Sequence, residues 1–174
     1  MKILKLLSGC VMAAATILSC KKEDTTVSNV LNEADINFIR LAGISNHSEI
    51  ETAKVALAKT ADSVVLSFAQ QMITDHTNAQ SDLKTMGSVV GFTIQDTVDA
   101  AHTATIAHLD SLTGRTFDST YIHTQLADHN ETINFYGDEL AKGNQLNVRA
   151  YANTNLQNIK IHYQRADSIA NAYY

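Results

Sequence analysis

"NVRAYANTNLQNIKIHYQRADSIANAY", residues 147–173, places Val148, Ala152, Asn155, Ile159, His162, Ala166, Ile169 and Tyr173 at alternating steps of four and three. That period lays eight side chains along one face of an α-helix of about seven turns. No strand-like alternation of any length competes with it elsewhere in the chain. With no proline in 174 residues and the seven glycines mostly near the ends of periodic stretches, the sequence leans helical throughout.

Three further stripes precede it. Val65, Phe68, Met72, His76, Ala79, Leu83 and Met86 follow one another at steps of three and four behind a cap at Asp62 or Ser63, with Gly87 as the expected stop. Ile122, Gln125, His129, Ile133, Tyr136 and Leu140 form another, opened by Thr116 and closed by Gly143. The earliest, from about Asn32 to Lys59, carries Ile36, Ile39, Ala42, Asn46, Ile50, Ala53 and Leu57. Gly43 and Asn46 make it the least regular, and a kink is expected there. Between Gly87 and Thr116 lie roughly thirty residues with one short helical candidate, Asp99 to Leu112, a span longer than ordinary helix connections. The chain is therefore expected to be all-α: a ferritin-like four-helix bundle over residues 34–174, with a long central crossover containing a short extra helix.

The N-terminus is of another kind. Lys2 and Lys5 precede the apolar run "LLSGCVMAAATIL", which is too short to span a bilayer comfortably and reads as a signal peptide over residues 1–19. The ending Ile17-Leu18-Ser19-Cys20 resembles a bacterial lipobox, although Leu is commoner where Ile17 stands. On this reading Cys20 becomes the lipidated N-terminus, residues 20–33 form a polar tether, and the domain is anchored to a membrane in the cell envelope, on the periplasmic or surface face of the outer membrane. Cys10 would leave with the signal, so a disulfide framework, a thiolate metal site and cysteine catalysis are all excluded. Removing Lys2 and Lys5 takes Lys+Arg from 13 to 11 against 18 Asp+Glu, a formal charge of about −7 that argues against nucleic acid as a partner. No Gly-x-Ser-x-Gly elbow and no phosphate-binding loop occurs, so nothing in the sequence supports nucleophilic or phosphoryl-transfer catalysis.

The chemistry of interest lies on the stripes themselves. His76, His129 and His162 each occupy a core position of a different helix. At ~1.5 Å rise per residue, all three fall within roughly 5 Å of mid-height whichever way the helices run. Glu49, on the edge of the first stripe, lies at nearly the same level. Three imidazoles and a carboxylate make a plausible set of ligands for one transition-metal ion: iron, manganese, zinc or copper. Asp75 and Asp128 sit about 100° round their helices from the histidines that follow them, which suits the rim of such a site or the orientation of a histidine on a neighbouring helix. The carboxylate pattern of di-iron bundles is absent, because the positions three before His76 and His162 are Ile73 and Ile159. Met72, one turn before His76, would offer copper a soft ligand, although methionine at such a position is more often core filler. His47, His102, His108 and His123 lie off the stripes. Two readings of the cluster remain at this point: a metal site, or a metal-free polar network that stiffens the core of a non-catalytic envelope binding or stress-protection module.

"SEIETAKVALAK" (48–59), "FAQQMITDHTNAQSDLK" (68–84), "GRTFDSTYIHTQLADHNETINFY" (114–136) and "NLQNIKIHYQRA" (155–166) together resemble a bacterial family of unknown function often labelled "putative outer membrane protein", a ferritin-like bundle found in exported proteins. Met-x-x-Asp-His at 72–76 and Phe-Asp-x-x-Tyr at 117–121 carry the likeness. The resemblance implies that Glu49, Asp75, His76, Phe117, Asp118, Tyr121, His129 and His162 stand at recurring positions of the family, and it brings no reaction with it.

Overall fold

The computed structural model describes residues 30–174. The signal peptide, the lipidation site Cys20 and most of the tether expected from the sequence lie outside the described residues. Five helices follow in order: α1 (Glu33–Lys59), α2 (Ser63–Val90), α3 (Ala100–Ser111), α4 (Gly114–Lys142) and α5 (Leu146–Tyr173). No strand occurs among the described residues, and none of their helices is long and apolar enough to cross a membrane.

The four long helices form a ring in which α1 packs on α2 and α4, and α5 packs on the same two; α3 lies against α1 and touches α4. Two apolar clusters give the directions. One joins Phe38, Ile39 and Ala42 near the start of α1 to Leu83 and Met86 near the end of α2, Tyr136 near the end of α4 and Val148 and Tyr151 near the start of α5. The other joins Ala53 and Ala56, Val65 and Phe68, Phe117 and Tyr121, and Ala166 and Ile169 at the opposite end, with Leu109 of α3 added. Helices α1 and α5 therefore run one way and α2 and α4 the other. The 91–113 connection must traverse the full length of the bundle, which is the ferritin-like arrangement with a single crossover.

Local chemistry places the boundaries. Asn32 caps α1 in a reciprocal box: its Oδ1 accepts the Asp35 N–H at 2.9 Å, and Asp35 Oδ2 accepts the Asn32 N–H at 2.7 Å. The same buried Asp35 accepts the backbone N–H groups of Asn144 and Gln145, tying the α4–α5 turn to the start of α1. Beside it, burial and the Asp35 carboxylate push the Glu139 carboxyl up to about 8. Asp62 caps α2, accepting from the N–H groups of Val64 and Val65. Helix α4 begins two residues before the expected Thr116, behind Thr113. Ile36, expected in the core, is 40% exposed; the buried face of α1 instead runs through Phe38, Ile39, Ala42, Asn46, Glu49, Ala53 and Ala56.

Gly87 has a role other than the expected stop, and Gly43 shares it. Helix α2 passes through Gly87 and stops at Gly91, whose φ of 75° is left-handed and suits glycine. Gly87 serves close approach: a methyl group there would overlap Ile94 Cδ1 and come within 2.7 Å of the Phe92 carbonyl oxygen. Gly43 meets the same residue, with Ile94 Cγ2 at 3.0 Å from where its Cβ would lie. Helix α1 is continuous through Gly43 and Asn46, and Gly43 and Gly87 form a slot that seats Ile94 of the crossover.

Gly87→Ala should therefore destabilise the fold by about 1–3 kcal/mol through overpacking. Gly137→Ala, on an open face of α4, should stabilise it by up to about 1 kcal/mol through helix propensity. Denaturant unfolding of the two variants checks the pair, and equal effects would contradict the seating of the crossover on α2.

Candidate metal centre

Between the two apolar clusters the interior turns polar. Asn46, Glu49, His76, Gln80, Gln125, His129, Asn155 and His162 are all less than a tenth exposed, and they come from α1, α2, α4 and α5 near mid-height. Their presence on helix stripes follows from the 3.6-residue period, which turns Asn46, His76, Gln125, His129, Asn155 and His162 inward with the neighbouring apolar residues.

The three histidines meet at the centre. Their ring centroids are 5.3 to 5.6 Å apart, and one ligand atom from each lies within 4.8 Å of the others. Each ring holds its other edge against a hydrogen-bond acceptor. His76 Nδ1–H donates to Asn46 Oδ1 at 3.0 Å. His129 Nδ1–H donates to the Gln125 carbonyl at 2.9 Å, one turn back on α4. His162 Nε2–H donates to Asp75 Oδ2 of α2 at 2.9 Å. A carbonyl or carboxylate oxygen has no proton to return, so each partner fixes the tautomer of its ring. The remaining nitrogens, His76 Nε2, His129 Nε2 and His162 Nδ1, are buried lone-pair sites with no hydrogen-bond partner in the protein.

The asparagine that orients His76 is itself held. Asn46 Nδ2 donates to the Tyr151 hydroxyl at 3.1 Å and to Gln80 Oε1 at 3.4 Å, while the Tyr151 hydroxyl donates to the Ala79 carbonyl. Gln80 in turn donates to Asp96 of the crossover at 2.9 Å, and Lys84 pairs with the same carboxylate at 2.6 Å. The chain of contacts therefore runs from the central ring to the segment that Ile94 seats.

Burial is the leading cause of depressed basicity in all three rings. Desolvation holds His76 well below the ordinary histidine range, with His129 and His162 acting in the same direction. It takes His129 down to about 4 against the opposing hydrogen bond to Gln125. His162 is also lowered, although Asp75 favours its charged form. The rings are thus neutral near pH 7, the state in which imidazole binds a metal.

The acidic residues singled out in the sequence occupy different places. Glu49 is 4% exposed and lies behind His129: its Oε1 is 3.5 Å from the outer Nδ1, and its Oε2 accepts from Gln125 Nε2 at 2.7 Å. The structure thus leaves it out of the three-histidine group, because the rotation of α1 against α4 turns it to the outer edge of that ring. Burial raises the Glu49 carboxyl to about 7. Asp75 does orient a histidine on a neighbouring helix. Asp128 pairs with none of the three rings; burial, with Glu49 adding repulsion, pushes it to about 7. Met72 packs in the apolar cluster with Phe68, Phe117 and Tyr121. Asp118 and Tyr121 are buried but stand outside the three-histidine group. Asn46 and Gln125, the two groups that aim His76 and His129, had no site role in the sequence reading. For Asn46 the signal was an amide on an otherwise apolar stripe; Gln125 aims His129 through its backbone carbonyl, which no side chain announces.

Fold and cluster together define a class: a helical bundle with one long crossover built round a buried group of three histidines. A family model described as "Domain of unknown function (DUF4142)" matches residues 21–169, and the chain belongs to that family. Among solved structures it is similar to the crystal structure of a DUF305 fragment from Deinococcus radiodurans, with a TM-score of 0.72 and 11% identity over 82% of this chain and 98% of that one. At that identity the likeness speaks for the fold alone. No curated protein matches the chain.

Nitrogen-15 NMR of the metal-free protein near neutral pH should find His76 and His129 protonated on Nδ1 and His162 protonated on Nε2. A common tautomer for all three, or a charged ring among them, would contradict the arrangement of acceptors.

Proposed function

We propose that this protein is an envelope-anchored domain that binds one transition-metal ion through His76 Nε2, His129 Nε2 and His162 Nδ1. The observation that carries the reading is that three buried histidines each bring a ligand nitrogen within 4.8 Å of the others, while in every ring one nitrogen is hydrogen-bonded and the other is buried without a partner in the protein. A buried polar atom without a partner costs about 1–3 kcal/mol, and here three such atoms also face one another as lone pairs. A Lewis acid at the centre satisfies all of them together. The metal-free network is less well supported, because the rings bond outward to Asn46, Gln125 and Asp75 rather than to each other.

The donor chemistry narrows the ion. Three imidazoles with no carboxylate among them suit zinc or copper, and iron less well; manganese prefers oxygen ligands. Membrane attachment rests on the lipobox-like Ile17-Leu18-Ser19-Cys20 alone. Lipid on that cysteine would leave the acidic bundle tethered outside the bilayer.

Reconstitution of purified, tag-free protein with zinc or copper should give one ion per chain by elemental analysis. Metal at 100 times its dissociation constant should add about 2.7 kcal/mol of stability. His76→Ala, His129→Ala and His162→Ala should each weaken binding by more than about 100-fold, beyond the range expected for a group that only orients a ligand. Sub-stoichiometric metal with every ion, or full binding by all three variants, would end the proposal.

The anchoring has its own test. Cys20→Ser should move the protein from the membrane fraction to the soluble envelope fraction, and an unchanged distribution would refute lipidation at that residue.

A further inference from the structure

We infer that the ion in this centre keeps one coordination position outside the protein, so that a small exogenous ligand, water or a small anion, completes its shell. The inference rests on the three-histidine reading and extends it from storage of an ion to presentation of one.

The donor count is the first observation. Among the described residues, the His, Cys, Asp and Glu side chains that bring a ligand atom to the centre number three. The two nearest carboxylates are engaged elsewhere. Asp75 holds the outer nitrogen of His162 at 2.9 Å, and Glu49 divides its oxygens between Gln125 at 2.7 Å and the outer edge of His129 at 3.5 Å. Zinc sites that are closed and structural use four protein ligands, whereas sites that bind or activate a small molecule use three.

The second observation concerns charge. Three neutral imidazoles bring none, and the Asp75 carboxylate accepts the outer N–H of His162 at 2.9 Å. A carboxylate on the outer N–H of a ligand histidine strengthens that ligand and offsets the charge of the ion. That charge suits a divalent ion, which seeks four or more donors, better than a monovalent copper ion that three nitrogens satisfy.

A third observation concerns access. His162 is 2% exposed, while the Asp75 side chain hydrogen-bonded to it is 35% exposed. Asp75 therefore links the central cluster to the surface where α2 packs on α5. Met72 is the neighbouring side chain that would close the shell in place of the exogenous ligand. It is one turn from His76 on the same stripe, and it is packed with the apolar cluster below the centre.

Cobalt(II) is the suitable probe, because its visible absorption reports coordination number and ligand exchange. The full chain loaded with one equivalent of cobalt should show the intense visible bands of a four-coordinate ion. Sodium azide should shift those bands in a saturable, reversible way, and Met72→Leu should leave both spectra unchanged. Asp75→Ala should weaken cobalt binding about 10- to 100-fold while leaving the azide shift in place on the loaded protein. A cobalt spectrum that azide does not alter, or one that Met72→Leu transforms, would overturn the open position while leaving the three-histidine site standing. Failure of cobalt, zinc and copper to bind at all would instead refute the site, and this inference with it.

Discussion

The interior of this bundle depends on three imidazole N–H groups that all point away from the centre they surround. Asn46, the Gln125 carbonyl and Asp75 accept those protons, and an acceptor-only partner leaves each ring with its lone pair turned inward. Each outer edge is engaged, while each inner nitrogen has no hydrogen-bond partner in the protein. A half-satisfied polar cluster in a low-dielectric core is less stable than an apolar one of the same shape. That asymmetry sets both the shape of the core and its chemistry.

The shape follows directly. An ordinary four-helix bundle buries one continuous apolar seam, but here the seam is divided into two clusters by a polar belt. Each cluster holds one end of the bundle. Phe38, Tyr136 and Tyr151 form an aromatic group at one end, with Phe38 and Tyr136 edge-on at 4.8 Å, and Phe68, Phe117 and Tyr121 form one at the other. The crossover adds a constraint of its own. Ile94 sits in the slot made by Gly43 and Gly87, and two residues on, Asp96 receives the hydrogen bond from Gln80 that continues to Asn46 and His76. The longest connection in the fold is thus packed and hydrogen-bonded onto the same pair of helices that hold one wall of the centre.

Much of this was legible in the amino-acid sequence, and the reasons differ by residue. The four stripes specify four helices because a 3.6-residue period over seven turns has no competing interpretation, and the absence of proline leaves nothing to interrupt them. The meeting of His76, His129 and His162 followed from their levels along the helices, since a fixed rise per residue converts sequence position to height. Height is not azimuth, however. Glu49 stands at the right level but reaches the outer edge of His129, and only the rotation and spacing of α1 against α4 decide that. Gly87 was read as a stop because its role is tertiary: what it accommodates is Ile94, seven residues away on a segment with no periodic pattern. Asn46 looks like a weakness in its helix for a similar reason, since the histidine it orients lies on α2.

The central claim is that the three inward nitrogens bind a metal ion together. X-ray absorption at the metal edge of zinc-loaded protein tests it most directly, by counting the neighbours of the ion and identifying them. The account predicts a shell of three imidazole nitrogens at about 2.0–2.1 Å with one further light atom, and loss of that pattern in His129→Ala. A shell of carboxylate oxygens alone, or a zinc environment unchanged by that substitution, would contradict it.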